Sequence, residues 1–461
     1  MQNLKMAQTN NGTIPLEKIV DFSLGGDWGK SPDEKLQDYI KVKVVRGTEF
    51  ANWQKNKTKT AALRQIKKSS FEKRQLKKGD LVVEVSGGGP KQPVGRVVVI
   101  DDEALNSSEY PLVCSNFFRQ VRIKEGYTPE FIKLSIYKDY LAGKVDDYQT
   151  SSTNLRNLNF RDFLANIEIP DIPETEQQHI ADRLSTAIDD ITASAERLQK
   201  TRRLIAKFRQ AILSDAVTGK LTEDWRSSNP NVETAQTLLS LLEIGQIKKS
   251  KANIVNFDAS ELPEIPNTWT WVSFSQIGEL ARGKSKHRPR NDQRLFGGKY
   301  PFIQTGDVAR SNGKINTYTQ TYNETGLAQS RLFPRGTLCI TIAANIADAG
   351  ILDLDACFPD SVVGFIPFKP ILTADYFYFF ITTAKNNLEQ FAPETAQKNI
   401  NLGILNELAV PLPPLEDMTE ITNRVNNYLK IAEGVEKQIE KAEARVSRLT
   451  QAILAKTFRQ E

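Results

Sequence analysis

The stretch Val410-Pro411-Leu412-Pro413-Pro414 opens a passage that runs on to Gln451-Ala452-Ile453-Leu454. The same passage occurs earlier in the chain, from Ile169-Pro170-Asp171-Ile172-Pro173 to Gln210-Ala211-Ile212-Leu213, at a constant shift of 241 positions and without a gap. In both copies a proline-rich hinge precedes a long run of helical spacing. Internal repetition sets the architecture before any single motif does. The sequence therefore predicts a pseudo-two-fold molecule in which a globular segment and a long helix each occur twice.

Apolar residues in the second copy recur at alternating steps of four and three, which is the heptad spacing of a coiled coil. They are Ile421, Val425, Tyr428, Ala432, Val435, Ile439, Ala442, Val446, Leu449 and Ile453. The first copy keeps the same register, although the polar Ser194 and Thr201 interrupt its row of apolar heptad positions, the seam of the coiled coil. Two seams of equal length in one chain pair most simply with each other. We therefore expect an antiparallel intramolecular coiled coil, with parallel pairing and a homodimeric coiled coil as the alternatives.

The segments that precede the two helices share one α/β pattern. Each has a strand that begins at a glycine, then a short helical stretch, then an Asn-rich turn, at 79–83, 129–134 and 157–160 in the first segment and at 336–340, 374–379 and 399–402 in the second. We expect an α+β protein with two α/β domains separated by two long helices. The predicted parts are a first domain, a first helix, a polar connector, a second domain and a second helix, at 1–168, 169–220, 221–261, 262–409 and 410–461.

Composition places the chain among soluble globular proteins of more than one domain, with 461 residues, 39% hydrophobic and 25% charged. Its apolar runs are too short for a membrane span, and residues 1–12 lack the apolar core of a signal peptide. We therefore expect a cytoplasmic protein without membrane contact. The scattered Cys114, Cys339 and Cys357 predict buried thiols rather than disulfides or a zinc site.

Positive charge is concentrated in two stretches, although the net charge is only +5. Residues 41–80 hold 13 Lys or Arg against three acids, and residues 282–290 hold five basic side chains and no acid. Local basic patches indicate a polyanionic partner. With DNA as that partner, the candidate DNA-binding residues are Arg46, Lys55, Lys57, Lys59, Arg64, Lys67, Lys68, Gly87, Arg282, Lys284, Lys286, Arg288, Arg290, Gln304 and Asn345. Lysines are expected at phosphates, and the candidates for reading bases are Arg46, Trp53, Gln54, Arg64, Arg288, Arg290 and Gln304.

Three passages resemble conserved regions of the specificity subunits of type I restriction–modification enzymes. They are Phe208-Arg209-Gln210-Ala211-Ile212-Leu213 followed by Gly219-Lys220-Leu221-Thr222-Glu223-Asp224-Trp225-Arg226, the end of the second helix at 449–459, and the entry Leu262-Pro263-Glu264-Ile265-Pro266-Asn267-Thr268-Trp269. The first domain departs from this entry, since it has only Ile14-Pro15-Leu16 there. The first hinge, Ile169-Pro170 with Glu176-Gln177, also resembles the family, whereas the second hinge departs from it, with Asp417-Met418 in place of Glu176-Gln177.

The resemblance implies a non-catalytic subunit that binds double-stranded DNA without a cofactor. Each recognition domain would read one half of a split target sequence. The helices would dock two methyltransferase subunits, and motor–nuclease subunits would join in the full complex.

Two other function classes stay open at this point. Gly278-Glu279-Leu280-Ala281-Arg282-Gly283-Lys284-Ser285 matches the phosphate-binding pattern GxxxxGK[ST], which would make the chain a P-loop nucleotide-binding enzyme if a helix follows Ser285. A proline at 289 and the lack of apolar periodicity argue against that helix. The other class is a coiled-coil adaptor that binds protein only. With His179 and His287 as the two histidines, and without an Asn-Pro-Pro-aromatic motif, the sequence predicts neither a catalytic nor a metal site.

Overall fold

A computed structural model describes residues 12–89, 92–152, 155–246, 262–287, 289–343, 347–369, 371, 373–385 and 401–458. The chain divides into two compact units. Unit 1 comprises residues 1–199 and 440–461, and unit 2 comprises residues 200–439. Each unit therefore contains one α/β domain and a part of each long helix. None of the helices described is long and apolar enough to cross a membrane.

Two helices of more than 40 residues follow the hinge prolines, as predicted. The first long helix is Glu174–Val217 and the second long helix is Leu415–Thr457. Both begin directly after a proline, whose fixed φ and missing N–H make it a favourable helix start. The first long helix ends before Gly219, which adopts the left-handed conformation with φ +79° that commonly terminates helices.

The long helices pair antiparallel within each unit. In unit 2, the guanidinium of Arg209 donates to the carboxylate of Glu436 at 2.9 Å, and the rings of Phe208 and Tyr428 meet edge to face at 6.2 Å. The late part of the first long helix thus lies against the early part of the second. In unit 1, the early part of the first long helix shares a core with Leu454 near the end of the second. The predicted antiparallel intramolecular pair is confirmed.

The predicted heptad seam is only partly buried. Ile421, Val425, Ala432 and Ile439 lie in the interior, whereas exposed positions of the seam are Tyr428, Val435 and Leu449. A pair of helices covers one flank of each seam and leaves the other flank to solvent. The helices therefore pair while part of the seam stays exposed.

The α/β domain of unit 1 is built on an antiparallel sheet with strand order Val20–Gly25, Phe118–Ile123, Leu81–Glu84 and Val97–Val99. A second sheet places Ala62–Lys67 antiparallel and Leu112–Cys114 parallel to Tyr39–Val45. A third sheet has the order Gln149–Ser152, Leu155–Leu158 and Ser86–Gly88. The shorter helices are Leu16–Ile19, Gly47–Phe50, Trp53–Asn56, Lys68–Arg74, Asp102–Asn106, Pro129–Leu141, Phe160–Asn166 and the 3-10 turn Lys144–Tyr148.

The α/β domain of unit 2 has a five-stranded sheet with the order Gly278–Arg282, Val362–Pro367, Leu338–Thr341, Ala349–Leu352 and Lys314–Ile315. Its strands are antiparallel except for the last pair, which is parallel. Phe296–Phe302 and Gln320–Tyr322 form a separate antiparallel pair. The shorter helices of unit 2 are Lys220–Thr222, Glu223–Ser228, Ala235–Gln246, Phe274–Ile277, Gln293–Leu295, Thr305–Arg310, Glu324–Ala328, Asp375–Ala384 and Leu402–Glu407.

In both domains the first strand pairs antiparallel with the strand that leads into the hinge, as expected for two copies of one fold. In unit 1, Thr13–Pro15 pairs antiparallel with Glu168–Pro170, the strand that leads into the hinge. In unit 2, Thr270–Ser273 pairs in the same way with Ala409–Leu412. The helical stretches predicted at 129–134 and 374–379 are also present, as Pro129–Leu141 and Asp375–Ala384.

The predicted Asn-rich turns are instead helix starts. Asn159 accepts a hydrogen bond from the backbone N–H of Asp162, and Asn401 accepts one from Ile404, so each asparagine caps the short helix before the hinge. Leu155–Leu158 is a strand, while residues 399–400 lie outside the described part of the chain. The asparagine side chain forms the same kind of hydrogen bond to the backbone in turns and at helix N-caps. The sequence pattern therefore did not distinguish a turn from a helix start.

Candidate nucleic-acid interface

The basic segment of unit 1 is partly interior. Lys57 has a side chain that is only 7% exposed, and its Nζ lies 2.5 Å from the Asp101 carboxylate and 3.8 Å from that of Glu103. Trp53 packs in a core with Val45 and Phe118. Carboxylates that neutralise a buried lysine leave it no charge to offer to DNA. The structure corrects both predictions: Lys57 is not placed for phosphate contact, and Trp53 is not placed to read bases.

Three further candidates of unit 1 are held by carboxylates. Arg46 donates to Glu49 at 3.1 Å and to the carbonyl of Thr60 at 3.0 Å. Although burial opposes the charged form of Glu49, hydrogen bonds from Arg46 and Thr60 hold its pKa below the usual value. Lys55 pairs with Glu196, and the Gln54 amide donates to Asp189 at 3.3 Å. Both of these acids lie on the first long helix. The Lys55 ion pair is exposed and therefore weak, whereas Arg46 forms its ion pair with the buried carboxylate of Glu49.

Lys59, Lys67 and Lys68 are exposed. Lys67 ends the strand Ala62–Lys67 and Lys68 begins the helix Lys68–Arg74, so the two charges leave the protein at one corner. Neither has an ion pair with any residue that the structure describes. These exposed side chains therefore stay candidates for phosphate contact.

Gly87 lies in the edge strand Ser86–Gly88 and has φ +101°, a conformation that favours glycine. A Cβ there would meet no atom within 4 Å, so the backbone faces open space.

Arg64 stacks on an exposed tryptophan that no sequence pattern had singled out. The Cζ atom of Arg64 lies 4.7 Å from the ring centre of Trp28, which is 37% exposed. Large aromatic side chains are normally buried, and an exposed one beside arginine is typical of binding surfaces. A lone tryptophan in a glycine-rich turn carries no periodic signal, so only the three-dimensional arrangement reveals this pair.

The basic loop of unit 2 follows the strand Gly278–Arg282 and is fixed by Asp360. Arg290 donates to both carboxylate oxygens of Asp360, at 2.8 and 2.7 Å, and Arg282 donates to its backbone carbonyl. The side chains of Lys284 and Lys286 are exposed. The structure thus brings four predicted residues together on one loop, while Arg288 and Asn345 lie outside the described residues.

Other polar groups of unit 2 are engaged with one another. Hydrogen bonds from Arg294, and then from His287, hold the pKa of the Asp292 carboxyl well below its usual range. The Gln304 amide donates to the Gln320 side chain at 2.7 Å. Gln304 would have to exchange this partner before it could bind a base.

The GxxxxGK[ST] match is not a nucleotide site. Its first five residues form the strand Gly278–Arg282, and no helix follows Ser285 among residues 286–287 and 289–292. A Cβ at Gly283 would lie 2.3 Å from the carbonyl oxygens of Phe358 and Pro359, so this glycine serves close packing. A P-loop needs a helix N-terminus directed at the phosphates. The P-loop alternative is therefore wrong.

Neither metal-binding nor reactive thiol chemistry has support in the described part of the chain. No group of three or more His, Cys, Asp or Glu there is arranged to hold a metal ion. The three cysteines are buried and unpaired with each other, as predicted. Burial raises the pKa of the Cys114 thiol to about 12, which keeps it protonated and unreactive.

A buried carboxylate on the second long helix binds side chains from two other segments of unit 2, residues 219–226 and 262–269. Asp417, fully buried at the start of the second long helix, accepts hydrogen bonds from Thr222 at 2.7 Å, Arg226 at 3.2 Å and the indole N–H of Trp269 at 2.7 Å. At the corresponding hinge of unit 1, Gln177 bonds to the backbone of Thr128 and Ile172 instead. The two hinges are thus fixed by different polar groups.

Comparison with known proteins agrees with this organisation. Residues 266–443 match the family model of the type I restriction modification DNA specificity domain. The EcoDI specificity subunit of Escherichia coli is 30% identical over 297 residues, covering 62% of this chain and 60% of that protein. The EcoKI specificity subunit of Escherichia coli is 25% identical over 434 residues, or 93% and 84%. The HsdS subunit of Thermoanaerobacter tengcongensis shares the fold, with a TM-score of 0.54 at 16% identity over 99% of this chain and 98% of that one.

The fold defines a duplicated α/β protein whose two domains are joined by an antiparallel pair of long helices. Within that class, the chain is similar to the specificity subunits of type I restriction–modification enzymes, and residues 266–443 match the DNA specificity domain of that family. The alignment spans about three fifths of the length of the EcoDI relative.

Proposed function

We propose that this chain binds a split double-stranded DNA sequence and that each α/β domain reads one half of it. The observation that carries the proposal is the duplication: each unit has one copy of the same domain, closed by the same strand pair at its hinge. Each copy also presents exposed cations, at Lys67 and Lys68 in unit 1 and at Lys284 and Lys286 in unit 2. Exposed lysines supply the sequence-independent part of DNA binding.

The chemistry of the complex would belong to its partners. We expect two methyltransferase subunits to dock on the long helices and motor–nuclease subunits to join the assembly in the cytoplasm. Apolar side chains exposed on the long helices support this docking; among them are Leu204, Phe208, Tyr428, Ile431, Val435 and Leu449. Contiguous exposed apolar residues on a helix are typical of protein interfaces. The chain itself would be the non-catalytic subunit and would need no cofactor.

Domain exchange tests the proposal most directly. Residues 12–172 of the full chain are replaced by the equivalent domain of a relative with a different target, so that both closing strands are exchanged together. Target sequences are then recovered from a randomised duplex library. One half of the recovered sequence should change and the other half should stay as it was, and an exchange in unit 2 should do the reverse.

Two results would overturn the proposal. If both halves of the target changed together, the domains would not read DNA independently. If no sequence preference emerged, and binding did not weaken with salt, the chain would be the protein-binding adaptor.

A further inference from the structure

The turn at residues 25–30 of unit 1 is built with little freedom. A Cβ at Gly26 would lie 2.2 Å from the carbonyl oxygens of Cys114 and Ser115, so only glycine fits there. Gly29 has φ +66°, and its N–H donates to the Asp27 carboxylate at 2.9 Å. The turn therefore holds its exposed residue, Trp28, in a defined position.

One edge of the Arg64 guanidinium is fixed to this turn. Its Nε donates to the carbonyl of Trp28 at 3.3 Å and its Nη2 donates to that of Gly29 at 3.4 Å, while the Trp28 ring supports its face. These contacts use the Nε–Nη2 edge. The Nη1–Nη2 edge, with two parallel N–H donors, has no partner among the residues that the structure describes.

Other arginines of unit 1 are arranged differently. Arg46, Arg96 and Arg122 each donate to a buried carboxylate, on Glu49, Glu84 and Asp80 respectively. Their charge is neutralised and their donors are engaged. Arg64 is instead oriented by neutral carbonyl groups, so its full positive charge and one donor pair remain available.

A fixed pair of parallel N–H donors matches the O6 and N7 acceptors of guanine in the major groove. Arginine makes this contact because its donors form a rigid planar fork, which the point charge of lysine lacks. Prior fixation by Trp28 lowers the entropy lost when the fork engages a base.

We propose that Arg64 reads a guanine in the half-target bound by unit 1, and that Trp28 is the positioning residue that holds its guanidinium. The inference rests on the proposed DNA-reading function and adds to it the residue and the base. The competing alternative is that Arg64 only fastens the turn to the strand Ala62–Lys67.

The test uses the full chain and a randomised duplex library, with sequencing of the bound DNA. Wild type should recover a two-part motif in which one position of the unit 1 half requires G·C. Arg64→Lys and Arg64→Ala should relax that position by roughly 5- to 150-fold, the range for one bidentate arginine–guanine contact. Trp28→Ala should relax the same position, whereas Trp28→Phe should largely preserve it.

Lys68→Ala is the matched control, since it removes an exposed cation nearby in sequence without touching the turn. It should lower affinity for all sequences alike and leave every position of the motif unchanged. Arg64→Lys keeps the charge, so it decides the question even if Arg64→Ala unfolds.

A two-part motif that both Arg64 variants leave unaltered would show that this arginine is only a fastening and would overturn the inference alone. Failure of wild type to select any sequence would overturn the proposed function, and this inference with it.

Discussion

Replacing Asp417 by alanine should destabilise unit 2 because the carboxylate holds together three separate parts of the chain. It is fully buried and accepts from Thr222, Arg226 and Trp269. Removing one partner of a buried ion pair costs about 3–5 kcal/mol, since the remaining charge loses its counter-ion. For a unit of 150–250 residues, each kcal/mol lowers the melting temperature by about 2–4 °C. We expect the calorimetric transition of unit 2 to shift down by roughly 6–20 °C.

The internal repeat supplies the control. Glu176 occupies the position of Asp417 at the 241-residue shift, also in the first turn of its long helix, but its side chain bonds to no residue that the structure describes. Glu176→Ala removes the same favourable interaction with the helix dipole, about 0.3–1 kcal/mol, and nothing more. If the two alanine variants lowered their transitions equally, the buried network would contribute no stability and the reasoning would be refuted.

Three further outcomes are expected from the arrangement of these side chains. Replacing Lys67 and Lys68 by alanine should reduce the slope of log affinity against log salt by about 0.9 for each phosphate that the variant no longer neutralises, and equal slopes for wild type and the double variant would contradict this. Lys57→Ala should instead lower thermal stability, because it removes a buried lysine side chain and its pairing with the carboxylate of Asp101. The full chain should not hydrolyse ATP, and Lys284→Ala should leave that background unchanged; hydrolysis that disappears in the variant would restore the P-loop interpretation. The Cys114 thiol, with its pKa raised to about 12, should react with a thiol reagent at pH 8 only after denaturant is added, and labelling of the native chain at this residue would show that it is not buried.

The long helices and the duplication could be predicted because they depend on local spacing. Heptad steps and hinge prolines are read along the chain, and both long helices begin where these signals placed them. The repeat at 241 positions likewise needed no knowledge of tertiary structure. Patterns of this kind are strong because many residues contribute to the same signal.

The candidate site was less predictable because partners that are distant in sequence determine which of its side chains are buried and paired. Lys57 looked like one basic residue among thirteen, yet Asp101, 44 positions away, draws it into the interior. Asp417 looked like a departure from its repeat partner, yet Thr222 and Trp269 depend on it. Composition shows how much charge a segment has, but only tertiary pairing shows how much of it faces solvent.

The division of the chain into units has a consequence for the order in which the protein forms on the ribosome. The core of unit 1 includes Leu454, the ring of Phe131 packs on Phe458 at 5.4 Å, and Gln451 donates to the carbonyl of Leu141, 310 positions earlier. The amino-terminal domain therefore cannot complete its core until nearly the whole chain has been synthesised. Contacts of such separation slow folding and leave apolar surface exposed meanwhile. Unit 2, continuous from 200 to 439, can mature first, so the domain translated earlier is completed later.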